Sequence, residues 1–383
     1  MTSEIEAAQL AQVNELDFQA LAREKMRAAI WFTLATVLEE EVSAFIGAER
    51  YERNSTRRDQ RNGSYTRDLG TSVGKLQDLT VPRTRKGFRT QLFECYHRRQ
   101  AELDAAIGDM FVYGASTPRV GEVMETLTGE KPSPSTVSRV FHTLDGEFDT
   151  WKKRPLAARY RYIFLDGTYF TIIYDNAGHK MPVLAAVGIN WAGDREVLGF
   201  RVGDRENHLA WEDLLQDLID RGVKQVNLFI TDGGQAMLNA LDLKFGGTPR
   251  QRCIHHKLEN ILSYVPETQR AAMEPELKAI FYQENREKAD QVAAAFREKF
   301  RAIYPTAIEC MDRDWEACLT FYAFPKAHWK TIRTNNVIER LFGEVKKRSH
   351  KMAAAFRNEG SCLLMFYAVI RSLKFRKIAT DAK

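Results

Sequence analysis

Residues 161–174 read RYIFLDGTYFTIIY, and this stretch decides the fold class. Its aromatic and β-branched residues predict two adjacent strands, 162–165 and 168–174, separated at Asp166-Gly167. Further strands are predicted at 182–191, 196–202 and 225–230. Helical patterns follow at 209–221 and from residue 235 onward. Several strands followed by helix–strand–helix alternation predict an α/β fold.

An acidic residue follows each of two apolar strands. Asp166 comes directly after Leu165, Asp232 comes directly after the run 226–231, and both precede glycine. Because ligands bind at the carboxyl edge of α/β sheets, both acids are candidate metal ligands. Taken singly, each acid also fits a turn former or a helix cap.

A third acid, Glu339, lies one turn into a predicted helix. Lys346 follows two turns later on the same face, where its charge can point toward the same bound phosphate, whereas Glu344 is rotated to the far side. Three carboxylates suit Mg²⁺, which prefers oxygen ligands. Two such ions about 3.5–4 Å apart promote in-line phosphoryl displacement. Taken alone, Glu339 also fits a solvated helix face.

Composition and charge set limits on the class of protein. The 383 residues are 44% hydrophobic and 28% charged, which is typical of a globular chain of two to three domains. Uncharged runs such as Met181–Gly193 are shorter than the roughly 20 apolar residues of a membrane span. The acidic N-terminus does not resemble a signal peptide, and five scattered cysteines argue against a disulfide framework. We therefore expect a cytoplasmic protein.

The N-terminal part combines a predicted amphipathic helix, 18–46, with a basic segment that contains short β-like runs near 76–81. Residues 50–99 carry 13 Lys+Arg against 5 Asp+Glu, an excess of +8, so the rest of a chain of net charge +5 carries −3. Such a block favours a polyanion partner, although many basic faces are only solvated. The predicted phosphate contacts are Arg57, Arg58, Arg61, Arg67, Arg83, Arg85, Lys86 and Arg89.

Two short helices are predicted next, one over 117–129 and one that begins at Ser133-Pro134. In a helix-turn-helix, the N-terminal side chains of the second helix contact base edges in the major groove. The corresponding candidates here are Ser135, Ser138 and Arg139. An ordinary helical hairpin fits the pattern equally well.

A set of short motifs resembles the Mutator-like family of bacterial insertion-sequence transposases, in the order in which that family carries them. The motifs are Arg61–Tyr65 with Val81–Arg83, Val112–Thr117, Ser135–Arg139, Leu165–Gly167, Glu196–Gly199, Leu218–Val223, Thr231–Gly233, Gln251–Cys253 with His256-Lys257, and Asn335–Leu341. No single motif decides the resemblance, but the ordered set is specific and runs through almost the whole chain.

The resemblance implies a DDE transposase with an RNase H-like catalytic core, in which Asp166, Asp232 and Glu339 bind two Mg²⁺ ions, or Mn²⁺ in their place. Family members bind terminal inverted repeats, cleave to expose 3′-hydroxyls and join these to target DNA. The expected partners are therefore double-stranded DNA and a second copy of the chain to hold the other end. Further predicted DNA contacts are His256, Lys257, Arg340, Lys346 and Lys347.

The implied domains divide the core in two. They are a helical and basic DNA-binding region at 1–98, the helix-turn-helix domain at 99–155, the first part of the core at 156–257, a helical insertion at 258–330, and the second part of the core with basic C-terminal helices at 331–383. The 106 residues between Asp232 and Glu339 contain this insertion.

Two nearby features leave alternatives open. Cys253 and His256 have the spacing of half a zinc site, but Cys310 and Cys318 are separated by seven residues, which disfavours zinc. His255 stands where the family usually has a hydrophobic residue, so either imidazole is a candidate. Trp315 fits a platform for an unpaired base, but a core position between helices is favoured.

Two other functions also fit parts of the sequence. A DNA-binding regulator on an inactive nuclease-like fold would share the helix-turn-helix, but the presence of all three acids argues against it. A resolvase-like or RNase H-type nuclease would share the metal site, without end joining or a preference for inverted repeats.

Overall fold

The computed structural model describes residues 15–71, 74–128, 131–203, 207–352 and 355–378. The chain forms two compact units, which divide between Thr143 and Leu144. None of the described helices is long and apolar enough to cross a membrane.

The first unit is a long helix, a β-hairpin and three further helices. Its elements are α1 (Glu15–Ile46), β1 (Arg61–Thr71), β2 (Gly74–Thr84), α2 (Leu92–Val112), α3 (Thr117–Thr128) and α4 (Pro134–His142). Leu38 of α1 packs on Leu79 and Val81 of β2. The predicted start of α4 is confirmed, because the side chain of Ser133 caps it by accepting the N–H of Thr136.

The second unit is built on a five-stranded sheet of order β5-β4-β3-β6-β7. The strands are β3 (Arg159–Tyr174), β4 (Ala177–Ile189), β5 (Arg195–Val202), β6 (Gln225–Thr231) and β7 (Arg250–Arg252). Strands β3, β4 and β5 are antiparallel neighbours, whereas β6 pairs parallel to β3, and β7 pairs parallel to β6. The α/β prediction is therefore confirmed.

One local prediction was wrong: Asp166-Gly167 is not a break between two strands. The pairing with β4 continues through Asp166 opposite Ala185 and Gly167 opposite Leu184. The chain turns instead at Asp175-Asn176, where both residues have positive φ (47° and 60°). Asp and Asn tolerate that conformation in a two-residue hairpin, which makes them the stronger turn signal.

The helices of the second unit lie before, between and after the strands. They are α5 (Asp145–Lys153), α6 (His208–Asp220), α7 (Gln235–Phe245), α8 (Ile254–Ser263), α9 (Glu267–Ile280), α10 (Arg286–Phe300), α11 (Pro305–Arg313), α12 (Trp315–Leu319), α13 (Trp329–Ile332), α14 (Asn336–Met352) and α15 (Glu359–Ser372). Two 3-10 turns, Thr320–Ala323 and Lys326–His328, lie between α12 and α13. The segment between β7 and α14 is therefore helical, as predicted.

Helix α5 belongs to the second unit, although the sequence analysis placed it before the core. Its Phe148 ring stacks on Phe200 of β5 at 5.7 Å and contacts Tyr367 of α15 at 5.4 Å. The phenyl ring is 7% exposed. Because this helix completes the core, the second unit begins earlier than the predicted boundary between residues 155 and 156.

Replacement of Phe148 by Ala removes this aromatic contact from the second unit. We expect the free energy of unfolding of that unit to fall by about 3 kcal/mol, since a buried ring leaves a cavity that closes only in part. Urea unfolding, with amide exchange followed in β5, measures the change. Leu243→Ala is the control, because Leu243 is 64% exposed. An equal effect of the two substitutions would contradict the assignment of α5.

Candidate active site

The pairing of β3 with β6 places two of the predicted acids side by side. The parallel register aligns Phe164 with Ile230. Asp166 comes two residues later within β3, and Asp232 comes two residues later as the first residue after β6. Because adjacent strands are separated by about 4.8 Å, the two acids follow from neighbouring positions at the same end of the two strands.

A glycine turn holds Asp232 at the end of β6. Its Oδ1 accepts the N–H of Gly234 at 2.9 Å. Gly233 has a φ of +76°, and a Cβ at this position would lie 1.8 Å from Nη1 of Arg252. Only glycine fits between the turn and that guanidinium group.

Asn335 brings the third acid to the same edge of the sheet. Its side chain is fully buried and donates Nδ2–H to the carbonyl oxygen of Leu165 at 3.1 Å. The main-chain carbonyl oxygen of Asn335 accepts the N–H of Glu339 at 3.0 Å. The first turn of α14 is therefore anchored to the residue that precedes Asp166.

His256 is the imidazole that faces the acids. Its Nε2 lies 3.8 Å from Oε1 of Glu339, whereas His255 is half exposed and lies beside Glu259. Within the described part of the chain, Oε1 of Glu339 and Nδ1 of His256 are buried and make no hydrogen bond. Of the paired histidines, His256 is therefore the one that lies next to Glu339.

The donor set at this edge fits a hard divalent cation. The Glu339 carboxylate offers an oxygen ligand, since its buried Oε1 lacks a hydrogen-bond partner among the described residues. A carboxylate oxygen buried in this way is costly unless a cation or a donor completes it. Mg²⁺ and Mn²⁺ therefore suit the site.

Glu339 also belongs to a group of potential ligands that includes softer donors. Cys253, His256 and Glu339 place one ligand atom each within 4.8 Å of one another, one ligand fewer than a structural zinc site needs. The Sγ of Cys253 already accepts the backbone N–H of Asn335 at 3.3 Å. Burial raises the pKa of Cys253 to about 11.

Comparison with known proteins identifies the family of this chain. Residues 1–377 match the family described as "Transposase, Mutator family". The chain belongs to this family of transposases. It is similar to the transposase for insertion sequence element ISRM5 of Rhizobium meliloti, with 33% identity over 90% of this chain and 86% of that protein. The transposase for insertion sequence element IS905 of Lactococcus lactis is also similar, with 32% identity over 91% of this chain and 88% of that protein. The transposase for IS256 in transposon Tn4001 of Staphylococcus aureus is 31% identical over 91% of this chain and 89% of that protein.

Lys346 of the transposase reaches the acidic edge from α14. Its Nζ donates to Oγ1 of Thr168 at 2.6 Å. Thr168 lies two residues after Asp166 on β3, and hence on the same face of the sheet. The ammonium group therefore lies beside the strand that carries the first acid.

Glu344 and Lys347 take a different place on the same helix. Glu344 pairs with Arg348 at 2.7 Å and with Lys347 at 3.0 Å. These hydrogen bonds hold the pKa of Glu344 below its usual value. Its carboxylate is thus satisfied by cations of its own helix, and exposed Lys347 projects into solvent.

A buried ion cluster joins the helical segment to the sheet of the transposase. Nζ of Lys257, with a side chain only 2% exposed, binds Oδ2 of Asp314 at 3.0 Å, and Nε of Arg252 lies 3.9 Å from the same oxygen. Gln251 of β7 donates to the carbonyl oxygen of Cys318 at 2.9 Å and accepts the N–H of Phe321 at 2.7 Å. A DNA contact by Lys257 would require its ion pair to open.

Trp315 packs between helices of this segment. Its Nε1–H donates to Asp290 at 3.0 Å, and the guanidinium group of Arg297 lies 4.4 Å from the ring centroid. The Phe281 ring lies 5.9 Å away. These contacts favour the core alternative, since one face of the ring is already covered.

Several cations of the first unit that are predicted to contact phosphate also bind acidic side chains or main-chain oxygens of the same unit. Arg61 pairs with Glu39 of α1, and Arg57 donates to the carbonyl oxygen of Glu52. The side chains of Arg58 and Lys86 likewise donate to main-chain carbonyl groups. These cations lie at the surface but are held in place, so their geometry is fixed before any DNA arrives.

The other predicted contacts of this unit project outward. Arg83 lies over the Tyr65 ring at 4.6 Å. Exposed side chains at the remaining predicted positions are those of Arg67, Arg85, Arg89, Ser135 and Arg139, whereas Ser138 is half-buried. Ser135, Ser138 and Arg139 lie along α4, which leaves the helix-turn-helix a prediction.

Substitution of Gly233 by Ala tests the close approach of Arg252 to the Asp232 turn. We expect the free energy of unfolding to fall by about 1 kcal/mol, because alanine disfavours the left-handed backbone conformation. A further fall of about 1–3 kcal/mol is expected because the Cβ and the guanidinium group of Arg252 overlap. Gly247→Ala is the matched control, since Gly247 has a φ of +84° and nothing within 4 Å of its Cβ position. If urea unfolding showed the same loss of stability in Gly233→Ala and Gly247→Ala, the side chain of Arg252 would be able to move away from the new Cβ without a loss of stability.

Asp314→Asn removes the charge that compensates Lys257. We expect the free energy of unfolding to fall by about 2–3 kcal/mol, less than for a fully buried pair because Asp314 is 36% exposed. The control is Glu274→Gln, which breaks the exposed pair with Lys278 in the same helical segment, with an expected change within about 0.5 kcal/mol. Similar stability of the two variants would refute a structural role for the cluster.

Proposed function

We propose that this chain is a DDE transposase of an insertion sequence. It binds terminal inverted repeats, cleaves the DNA to free 3′-hydroxyls and joins them to target DNA by two-metal-ion phosphoryl transfer. Two observations support the proposed site of Asp166, Asp232 and Glu339. The β3–β6 register brings the first two together, and Asn335 ties the third to Leu165.

The sheet supports an RNase H-like core for this enzyme. Three antiparallel strands are followed by two parallel ones; β3 carries Asp166, and Asp232 directly follows the neighbouring strand β6. The helical segment 254–332 lies between β7 and α14, so the third acid returns to the sheet from a distant part of the chain. This layout agrees with a core interrupted by an insertion.

The acids and the residues around them have different roles in the proposed reaction. Bound Mg²⁺ would activate the attacking oxygen and stabilise the leaving one. Asp166 and Asp232, fixed by their strands, hold the ligand oxygens in place before DNA binds, which avoids reorganisation at the moment of reaction. The ammonium group of Lys346 lies where it can offset negative charge that develops on the phosphate. His256 limits the freedom of the Glu339 carboxylate.

DNA recognition is assigned to the basic surfaces of both units. In the first unit, α3 and α4 form the proposed helix-turn-helix, and the basic hairpin contacts phosphate. In the second unit, exposed Arg340 and Lys347 extend the contact from the active-site helix. Two ends must be cut and joined together, so we propose that two copies of the chain act on one pair of ends.

Three conservative substitutions test the proposed triad: Asp166→Asn, Asp232→Asn and Glu339→Gln. Strand transfer is measured with a labelled duplex that carries the inverted repeat flanking the chain's own gene, a target plasmid and Mg²⁺. Changes in residues that merely orient metal ligands cost about 10–100-fold, so loss of a ligand is expected to cost more than about 100-fold. Glu344→Gln, on the same helix and paired with Arg348, is the control that retains activity.

Metal binding gives a second readout that does not depend on activity. Mn²⁺ titration followed by electron paramagnetic resonance is expected to show bound ions in the parent chain and weaker binding in each triad variant. Specific DNA binding without any cleavage, unchanged by the three substitutions, would instead indicate a regulator. Cleavage without end joining would indicate a nuclease.

A further inference from the structure

A basic cleft of about 310 Å³ lies beside α14 in the second unit. Five basic side chains line it, and none of the described lining residues is acidic. They come from β5, α13, α14 and the chain that follows α15: Arg195, Lys330, Arg340, Lys374 and Arg376. Val337, Leu341, Leu373 and Phe375 add apolar walls.

The basic cleft and the active site use opposite sides of one helix. Arg340 and Leu341 face the cleft, whereas Glu339 and Lys346 face the sheet edge with the other acids. At about 100° per residue, the two sets of positions are separated by nearly half a turn of the helix. A group bound in the cleft would therefore lie on the order of 10 Å from the Glu339 face, the diameter of a helix.

The five cations of the cleft have no acidic partner among the residues that the structure describes. Among the described residues, none of them forms an ion pair, although neighbouring Lys377 pairs with Asp194 at 2.6 Å. Arg195 donates only to Oγ1 of Thr331, at 3.4 Å, and its Nε is buried without a hydrogen bond. Burial lowers the pKa of Arg195 below its usual value. Like charges at close range disfavour one another unless an anion joins them.

The C-terminal part of the cleft is held in position rather than free. Ile378 donates its N–H to the carbonyl oxygen of Gly193 at 2.9 Å, and a Cβ at Gly193 would lie 2.5 Å from the carbonyl oxygen of Ile378. This close packing and the Lys377–Asp194 pair fasten residues 373–378 to the turn between β4 and β5. Lys374 and Arg376 are thereby kept beside the first turn of α14, whose N–H groups also favour negative charge.

We propose that the basic cleft binds a DNA backbone phosphate other than the one that is cleaved. A volume near the lower end of the range for ligand pockets, about 300–1,000 Å³, suits one phosphate and its adjoining sugar better than stacked bases. The contact would hold the DNA on the back of the helix that carries Glu339 and so fix the position of the cleaved bond. This inference rests on the proposed function in one respect, namely that the DNA bound in the cleft is the DNA that the chain cleaves.

A triple substitution removes charge from the cleft without a change in the acids: Lys330→Gln, Lys374→Gln and Arg376→Gln. The matched control removes the same charges from exposed positions elsewhere in the second unit: Lys153→Gln, Lys224→Gln and Arg313→Gln. Binding to a duplex is measured over a range of salt concentrations. Loss of one phosphate contact is expected to lower the slope of log affinity against log salt by about 0.9 in the cleft variant alone.

A footprint on the unmodified chain gives the location directly. Acetylation of lysines is followed by mass spectrometry in the free chain, with duplex DNA and with inorganic phosphate. We expect DNA to protect Lys330 and Lys374 but not Lys153 or Lys224. Equal salt slopes for the two triple variants, with no protection, would overturn the proposal. Protection by inorganic phosphate but not by the duplex would overturn it in favour of a small-anion site.

The two proposals fail separately. If DNA protects the cleft lysines in a chain that does not join ends, the cleft stands and the strand-transfer proposal fails. If strand transfer occurs but the cleft variant behaves as its control does, the cleft proposal fails alone.

Discussion

The parallel pairing of β3 with β6 is the constraint on which the rest of the second unit depends. It aligns Phe164 with Ile230, and Asp166 and Asp232 each come two residues later, because the backbone ladder fixes the register of the two strands. A slip of one residue would turn one of the acids to the opposite face. The antiparallel pairing of β3 with β4 extends past Asp166 and keeps that residue within a rigid strand.

Buried polar contacts then connect distant parts of the chain to this pair of strands. Asn335 bonds to Leu165 across 170 residues, and Lys257 pairs with Asp314 across 57. A buried polar group without a partner is costly, so each such contact favours one arrangement of the chain over others. In this transposase these contacts fix α14 and the helical segment relative to the sheet.

Positive charge has two structural uses in this protein. Some cations of the first unit, such as Arg61, pair with acids or main-chain oxygens and stabilise the hairpin against α1. Others, such as those of the basic cleft, converge with no acid beside them in the described structure. The second kind favours a polyanion more strongly, because its repulsion is relieved when phosphate binds. The modest net charge of +5 hides this difference.

The sequence by itself determined the α/β class, the helical segment before α14, the three candidate acids and the family, because each rests on local periodicity or on short motifs. It misread the middle of β3, since Gly167 looks like a turn but is paired within a ladder. Only the tertiary structure decided which histidine faces Glu339, why Gly233 must lack a side chain and that Lys257 is buried. These features, like the basic cleft, depend on contacts between residues far apart in the chain, and a local pattern carries no information about such contacts.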